Sequence, residues 1–291
     1  MLRAFVISIA LFINLIFWGA LILSCGLVKL VTFGRVRRRV ILITAALAES
    51  WDGVNQRIFD TFLDTRWEIE GVDGLRRDAH YLVISNHASW VDIFAVLRAL
   101  HHRAPFIRFF IKSTLRWAPI IGQAAWALDF PFMRRYSPEY LKEHPEKRGT
   151  DLETTRTALR RYRGIPVSIV NYVEGTRLTR AKHEEQQSPY RYLLKPRVGG
   201  IGFVLASFAE QLEALLDITI VYPKRNMTML DLVMNRVPWI RVVVRQIEVP
   251  PELCSDAITQ RGEARDRFRE WVEQIWREKD ETIGRILESH R

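Results

Sequence analysis

Two short clusters carry the side chains best suited to chemistry. The first is Asn86, His87 and Asp92 in SNHASWVD, directly after the apolar run YLVIS at residues 81–85. In an open α/β sheet, groups just beyond a strand's carboxyl end face the usual ligand crevice, so this position favours a site. On a continuous helix five residues turn through about 500°, which leaves two side chains roughly 140° apart and out of contact. If His87 lies in a turn and the helix begins near Ser89, Asp92 falls in the first helical turn and can reach back to His87. A carboxylate then holds one imidazole nitrogen while the other is free to act as a base. Ser89 and Asp92 also have the spacing of a capping box, in which Asp92 only satisfies backbone donors. On sequence these two readings of Asp92 are even.

The second cluster is Glu174, Gly175, Thr176 and Arg177, following the run VSIVNYV at residues 167–173. Arg offers a planar fork of donors suited to phosphate, and Gly175 permits close backbone approach. An ordinary strand-to-loop turn with a Glu–Arg ion pair accounts for the same four residues.

The elements that must position these groups alternate in type. Strand-like runs are WEIEG (67–71), YLVIS, FIRFFI (106–111), WALDFPFM (126–133), VSIVNYV, ITIVY (218–222) and IRVVVRQIEV (240–249). Helix-like segments lie near 90–100, 151–162 and 199–216. The alternation predicts an α/β fold with a central, mostly parallel or mixed sheet flanked by helices. In the last segment Phe268, Trp271, Ile275 and Trp276 share one helical face, expected to pack on the body, with a membrane-surface role as the alternative. The charged, Pro-interrupted stretch from 134 to 149 reads as a surface excursion long enough to serve as a lid.

From Ala4 to Val28 the chain runs 25 residues without a charge. At ~1.5 Å per residue this is about 37 Å of helix, more than the roughly 30 Å bilayer core. A cleaved signal peptide would have a shorter apolar region and a small-residue exit, and a buried core helix rarely runs this long without a polar face. Arg35, Arg37, Arg38 and Arg39 follow at once, which places the remainder on the cytoplasmic side under the positive-inside rule. VILITAALAESW (40–51) is too short to span and leads into amphipathic sequence through Phe62. It lies in the interface or returns as half of a helical hairpin. The expected division is a membrane anchor at 1–65 and a cytoplasm-facing catalytic domain at 66–291.

The 291 residues include only 2 Cys, with 15 Gly and 12 Pro, and 48% are hydrophobic. That composition excludes collagen-like, disulfide-stapled and wholly disordered chains. A net charge of +10 draws the protein to phosphate-bearing surfaces. The charge is spread along the chain without a nucleic-acid-binding module, so no nucleic-acid partner is expected. His101 and His102 are adjacent, His183 has ordinary charged neighbours, and neither Cys has a Cys nearby; no metal site is expected.

Together the two clusters are specific. NHASWVD followed by VEGTR resembles the PlsC-type glycerolipid acyltransferase family, marked by an NHxxxxD box and an EGTR box. KSTLRWAPIIG (112–122) resembles the family's second block, and KPRVGGIGFVLA with ITIVYP the fourth, so the similarity covers roughly residues 67–225. WALDFPFMRR, VEGTRLTRAKHEE and SPYRYLLKPRVGGI resemble the YihG-like bacterial branch and its eukaryotic lysophospholipid and lysocardiolipin acyltransferase relatives. Val173 and Leu178 stand where the commonest family form has Pro and Ser.

The resemblance implies transfer of a fatty acyl group from acyl-CoA or acyl carrier protein to 1-acyl-sn-glycerol 3-phosphate. These are co-substrates, and no cofactor is implied. A lysophospholipid with a larger headgroup, such as lysocardiolipin or lysophosphatidylglycerol, is the alternative acceptor. His87 would be the base and Asp92 its orienting partner. Arg177, and after it Lys112, would bind the acceptor phosphate. Asn86, Glu174, Gly175, Thr176, Arg197, Gly199 and Gly200 would support the site, Glu174 by positioning Arg177 or the headgroup. The implied setting is a bacterial inner membrane, with membrane phospholipids as partners. A catalytically dead lipid-binding scaffold is the rival from another class, and the intact His87/Asp92 pair counts against it.

Overall fold

The central strands β2 (His80–Ser85), β6 (Val167–Tyr172) and β7 (Ala214–Val221) alternate their side chains between two buried layers. In β2 Tyr81 and Val83 enter one core cluster and Leu82 and Ile84 enter the other. Such a strand has no solvent face, which is why YLVIS is an unbroken apolar run. The computed structural model describes residues 1–133, 143 and 150–290. The stretch expected to form a lid lies almost wholly outside the described residues.

The elements in chain order are α1 (Leu2–Val28), α2 (Gly34–Phe62), β1 (Arg66–Glu70), β2, α3 (Val91–Leu100), β3 (Ile107–Phe109), β4 (Ile111–Lys112), α4 (Ile121–Ala127), β5 (Phe132–Met133), α5 (Thr150–Arg160), β6 (Val167–Tyr172), α6 (Arg180–Glu185), α7 (Gly199–Phe208), β7 (Ala214–Val221), α8 (Met229–Val233), β8 (Trp239–Ile247) and α9 (Glu263–Ser289). Six strands form one sheet in the order β1-β8-β7-β2-β6-β3. β7, β2, β6 and β3 run parallel; β8 is antiparallel to β7, and β1 is parallel to β8. α2 and α3 cover one face, while α5, α7 and α9 cover the other. The mixed α/β sheet flanked by helices is the expected architecture. Phe268 and Trp276 are fully buried and Ile275 nearly so, so α9 packs its apolar stripe on the body of the protein.

Three segments depart from the sequence expectation. WALDFPFM is not a strand: Trp126 and Ala127 end α4, and only Phe132 and Met133 pair, with β4 in a separate two-stranded sheet. The helix stops because Asp129 takes φ +60°, with its N–H on Trp126 O (3.1 Å) and the Phe130 N–H on Ala125 O (2.9 Å). That is the Schellman pattern of a helix end. FIRFFI is divided between β3 and β4. The helix begun at Gly199 ends at Phe208 rather than at 216, because Ala214 to Val221 form β7, a central strand bonded on both edges. Pairing on two sides outweighs the helical spacing of the same leucines.

α1 is long and apolar enough to cross a membrane. It folds back on α2 through a stripe containing Ile7, Asn14, Ile22 and Gly26. Asn14 donates to Asn55 Oδ1 (2.9 Å) and to Trp51 O (3.1 Å). Gly26 lies so close to α4 that an added Cβ would stand 2.6 Å from Ala127 Cβ. Ile7, Phe59 and Leu63 belong to the same core cluster as Val83 and Ile218, so the hairpin is built into the body.

Candidate active site

Three neighbouring parallel strands bring their carboxyl ends to one edge of the sheet. β2 leads into Asn86 and His87, β6 into Val173 and Glu174, and β7 into Tyr222. The register sets Ser85 beside Tyr172 on one side and Ile218 on the other. Asn86 prolongs this pairing through its side chain, donating to Ile220 O and accepting from Ile220 N–H, each at 2.9 Å. Its amide replaces a peptide unit in the ladder and fixes the loop that carries His87.

α3 starts at Val91 with Asp92 in its first turn. Asp92 is completely buried. Its Oδ2 accepts from His87 Nδ1 (2.8 Å), Ala88 N–H (2.7 Å) and Ser89 N–H (2.8 Å). Its Oδ1 accepts from the Tyr222 hydroxyl at 2.5 Å. Both readings of Asp92 hold together, since one oxygen satisfies the loop's backbone donors and orients the imidazole. Half of the capping box is formed, because Ser89 Oγ accepts from Val91 N–H instead of Asp92 N–H. With Nδ1–H directed at the carboxylate, Nε2 carries the lone pair. Nε2 has no hydrogen-bond partner among the described residues. The His87 ring stacks on Tyr172 with centroids 4.1 Å apart, and Tyr172 stacks on Phe109 at 5.8 Å.

The second cluster is fastened to the first through the main chain of His87. The His87 N–H donates to Glu174 Oε1 (3.3 Å), and the Leu178 N–H donates to His87 O (2.7 Å). Glu174 is therefore a buried brace, and no ion pair joins it to Arg177 among the described residues. Burial, reinforced by the charge of Asp92 against the bonds from His87 and Leu194 N–H, pushes the Glu174 carboxyl up to about 8. Gly175 takes φ +69° in a turn closed by its N–H on Tyr172 O (2.9 Å). A Cβ there would stand 3.0 Å from Arg197 Cδ, so glycine answers both constraints.

Arg177 is exposed, with its guanidinium 4.8 Å over the ring of Trp90. Thr176 Oγ1 accepts from Lys182 Nζ (2.6 Å), which also reaches Arg177 O (3.2 Å). Arg197 is exposed and anchored by its N–H on Val173 O (2.8 Å). Gly199 and Gly200 begin α7. Gly199 faces open space, whereas a Cβ on Gly200 would stand 2.4 Å from Asn171 Nδ2, which makes Gly200 a close-packing residue between α7 and β6. Lys112 is exposed on β4, and among the described residues no hydrogen bond or ion pair ties it to His87 or Arg177. Tyr172, Tyr222, Trp90 and Lys182 are site neighbours that motif spacing does not reveal. The two tyrosines do share a trace in the sequence, each standing at the carboxyl end of an apolar run. Among the described residues no group of three or more His, Cys, Asp or Glu is placed to hold a metal.

The fold and site define an α/β protein in which a buried carboxylate orients an imidazole beside an arginine-bearing loop. A family model described as Acyltransferase matches residues 66–222, just over half of the chain, and the chain belongs to that family. Two uncharacterised acyltransferases of Schizosaccharomyces pombe are similar: one is 24% identical over 230 residues and the other 31% identical over 117. The matches cover 72% and 40% of this chain but only 60% and 37% of those relatives. The crystal structure of the 1-acyl-sn-glycerophosphate (LPA) acyltransferase PlsC from Thermotoga maritima has the same fold. Its TM-score is 0.60 at 16% identity, over 97% of this chain and 95% of that one.

Asp92→Asn should lower turnover by about 10² to 10⁴ through the misdirected imidazole, and should also cost about 1 kcal/mol or more of stability. Steady-state kinetics and thermal unfolding of the same preparation check both halves. Glu174 gives a pH signature. Between its ordinary 4.5 and about 8 the folded protein holds a proton that the unfolded chain has lost. Stability contributed below pH 4.5 is thus lost as pH rises toward 8. Wild type should lose Tm relative to Glu174→Gln across that window, and parallel Tm curves would show that the site does not titrate there.

Proposed function

We propose that this protein transfers a fatty acyl group from acyl-CoA or acyl carrier protein to the sn-2 hydroxyl of 1-acyl-sn-glycerol 3-phosphate. The product, phosphatidic acid, feeds phospholipid biosynthesis. The observation that carries the reading is the His87–Asp92 pair, braced by the loop that presents Arg177. In the step itself His87 Nε2 takes the acceptor hydroxyl proton as that oxygen bonds to the thioester carbonyl carbon. Asp92 holds the ring and stabilises the imidazolium, and the C–S bond then breaks. The departing thiolate takes up the proton from His87.

Arg177 binds the acceptor phosphate, with Lys112 as the second cation; Arg197 and the α7 start lie nearby in sequence to support it. The likeness to the 1-acyl-sn-glycerophosphate (LPA) acyltransferase of Thermotoga maritima supports this acceptor. Val173 and Leu178, where the common family form has Pro and Ser, favour the second reading, a lysophospholipid with a larger headgroup. The assignment to the YihG-like branch, resting on WALDFPFMRR and VEGTRLTRAKHEE, belongs to the same proposal.

α1 and α2 support a membrane setting for this reading. Phe5, Phe12, Ile13, Ile16 and Phe17 of α1 are exposed and apolar, whereas α2 carries Glu49, Asp52, Arg57 and Asp60 along its length. Charges of that number bar α2 from the bilayer core. α1 packs along α2 and α4, so we place the hairpin in one leaflet on the cytoplasmic face of the inner membrane, with α1 outward into lipid.

Labelled acyl donor with a panel of lysolipids is the primary test, and 1-acylglycerol 3-phosphate should be the preferred acceptor. Arg177→Lys should lower kcat/KM for that acceptor by about 10- to 150-fold, because a lysine lacks the bidentate fork. Its effect on the thioester KM should be small. Wild-type preference for lysophosphatidylglycerol would promote the second reading. For topology, single cysteines at Leu2 and at Ser188, in a background with Cys25 and Cys254 replaced by Ser, should both react with an impermeant maleimide in inside-out vesicles and in neither case from outside intact cells. Labelling of Leu2→Cys from outside would mean that α1 spans.

A further inference from the structure

The carboxylate that orients His87 has two oxygens, and they are met very unequally. Oδ2 receives three donors, all from residues 87–89 on its own loop. Oδ1 receives one, the hydroxyl of Tyr222, from a residue 130 positions away at the end of β7. Because Asp92 has no exposed surface, no water can take the place of that hydroxyl. The three local bonds all come from the loop that carries His87, so they tie the carboxylate to that loop and not to the sheet. The phenol 2.5 Å from Oδ1 is the donor from β7, and it holds the carboxylate plane against the sheet with Oδ2 aimed at His87 Nδ1.

Tyr222 is itself held firmly. Its ring belongs to the core cluster that contains Val91, Ala95 and Ile220, and Ile220 is clamped by both polar atoms of the Asn86 side chain. Burial, with the negative charge of Asp92 behind it, pushes the phenol well above its ordinary value, so the hydroxyl keeps its proton and donates. A phenylalanine would fill the same space and remove only the donor.

We propose that Tyr222 is a positioning residue for acyl transfer, acting through Asp92 to aim the imidazole of His87. It touches neither substrate, and this role rests on the transfer reading given above. Three consequences follow from acting through Asp92 alone. Loss of the hydroxyl slows the chemical step. It leaves substrate binding in place. It has no further effect once Asp92 can no longer orient the ring.

The experiment compares wild type, Tyr222→Phe, Asp92→Asn and the double variant as full chains in detergent, with an acyl-CoA and 1-acyl-sn-glycerol 3-phosphate. Tyr222→Phe should lower kcat by about 10- to 100-fold, the range expected when a buried charged acceptor loses its donor. Both KM values should stay within about twofold. The double variant should be no slower than Asp92→Asn alone, within about twofold. A kcat near wild type, a loss expressed in KM, or losses that multiply in the double variant would each overturn the proposal. Should Tyr222→Phe fail to fold by thermal unfolding, the double variant decides, since an amide at 92 leaves no unpaired buried charge. Inactivity of wild type toward every lysolipid, or full activity of His87→Ala, would instead remove the transfer reading itself.

Discussion

A carboxylate with no access to water must find its donors within the protein, and Asp92 finds four. Leaving one such oxygen unmet would cost about 1–3 kcal/mol or more, a large part of a domain's net stability. The chain meets the demand from two places, the turn after β2 and the end of β7, while the first turn of α3 presents the carboxylate to both. None of these three segments can shift without stranding the charge. The site is therefore a consequence of satisfying one buried group, and the same bonds that satisfy it orient the base.

That arrangement requires β2, β6 and β7 to stay in register, and the far face of the sheet supplies the restraint. Lys279 of α9 is fully buried, 2.6 Å from Asp217 Oδ1, and donates to Ile218 O at 2.6 Å. Burial pulls its ammonium down and Asp217 pulls it back up. Arg245 of β8 joins Asp217 (2.7 Å) to Glu278 of α9 (2.6 Å). A buried pair of this kind adds little net stability, but removing one partner is expensive, so it specifies where the helix sits. The residues it grips, 217–219, stand just before Ile220, which clamps Asn86, and Tyr222, which meets Asp92. α9 thus fixes the strand that presents two of the site's contacts.

Legibility in the sequence followed the range of the interaction. YLVIS and VSIVNYV were readable as strands because burial on both faces leaves an unbroken apolar run. His87 and Asp92 were readable because their contact spans five residues, and the doubt over Asp92 vanished only because one oxygen serves both roles. Tyr172 and Tyr222 were hidden within apolar runs, since their partners depend on parallel register across distant strands. WALDFPFM looked extended, yet a left-handed Asp129, with Lys29 paired at 2.7 Å, ends a helix there. The pairing that turned 214–216 from helix into strand was likewise non-local, with Leu215 beside Leu82 on one edge and Ile247 on the other.

The hairpin and the site are not separate devices. Ile7 of α1 and Phe59 of α2 share a core cluster with Val91 and Ala95, which flank Asp92 on α3. His101, at the far end of α3, meets Asp52 of α2 at 2.7 Å. The helix that carries the orienting carboxylate is thus pinned between the sheet and the element read here as the membrane anchor. Under the proposed reading, an acceptor whose acyl chain stays in lipid would reach His87 only if the imidazole stood at a set height above the leaflet. A flexible tether would let that height vary, whereas helices packed into the core would hold it constant. The exposed apolar face of α1 would then meet lipid, and the packing of α1 on α2, and of α2 on α3, would carry that depth to His87.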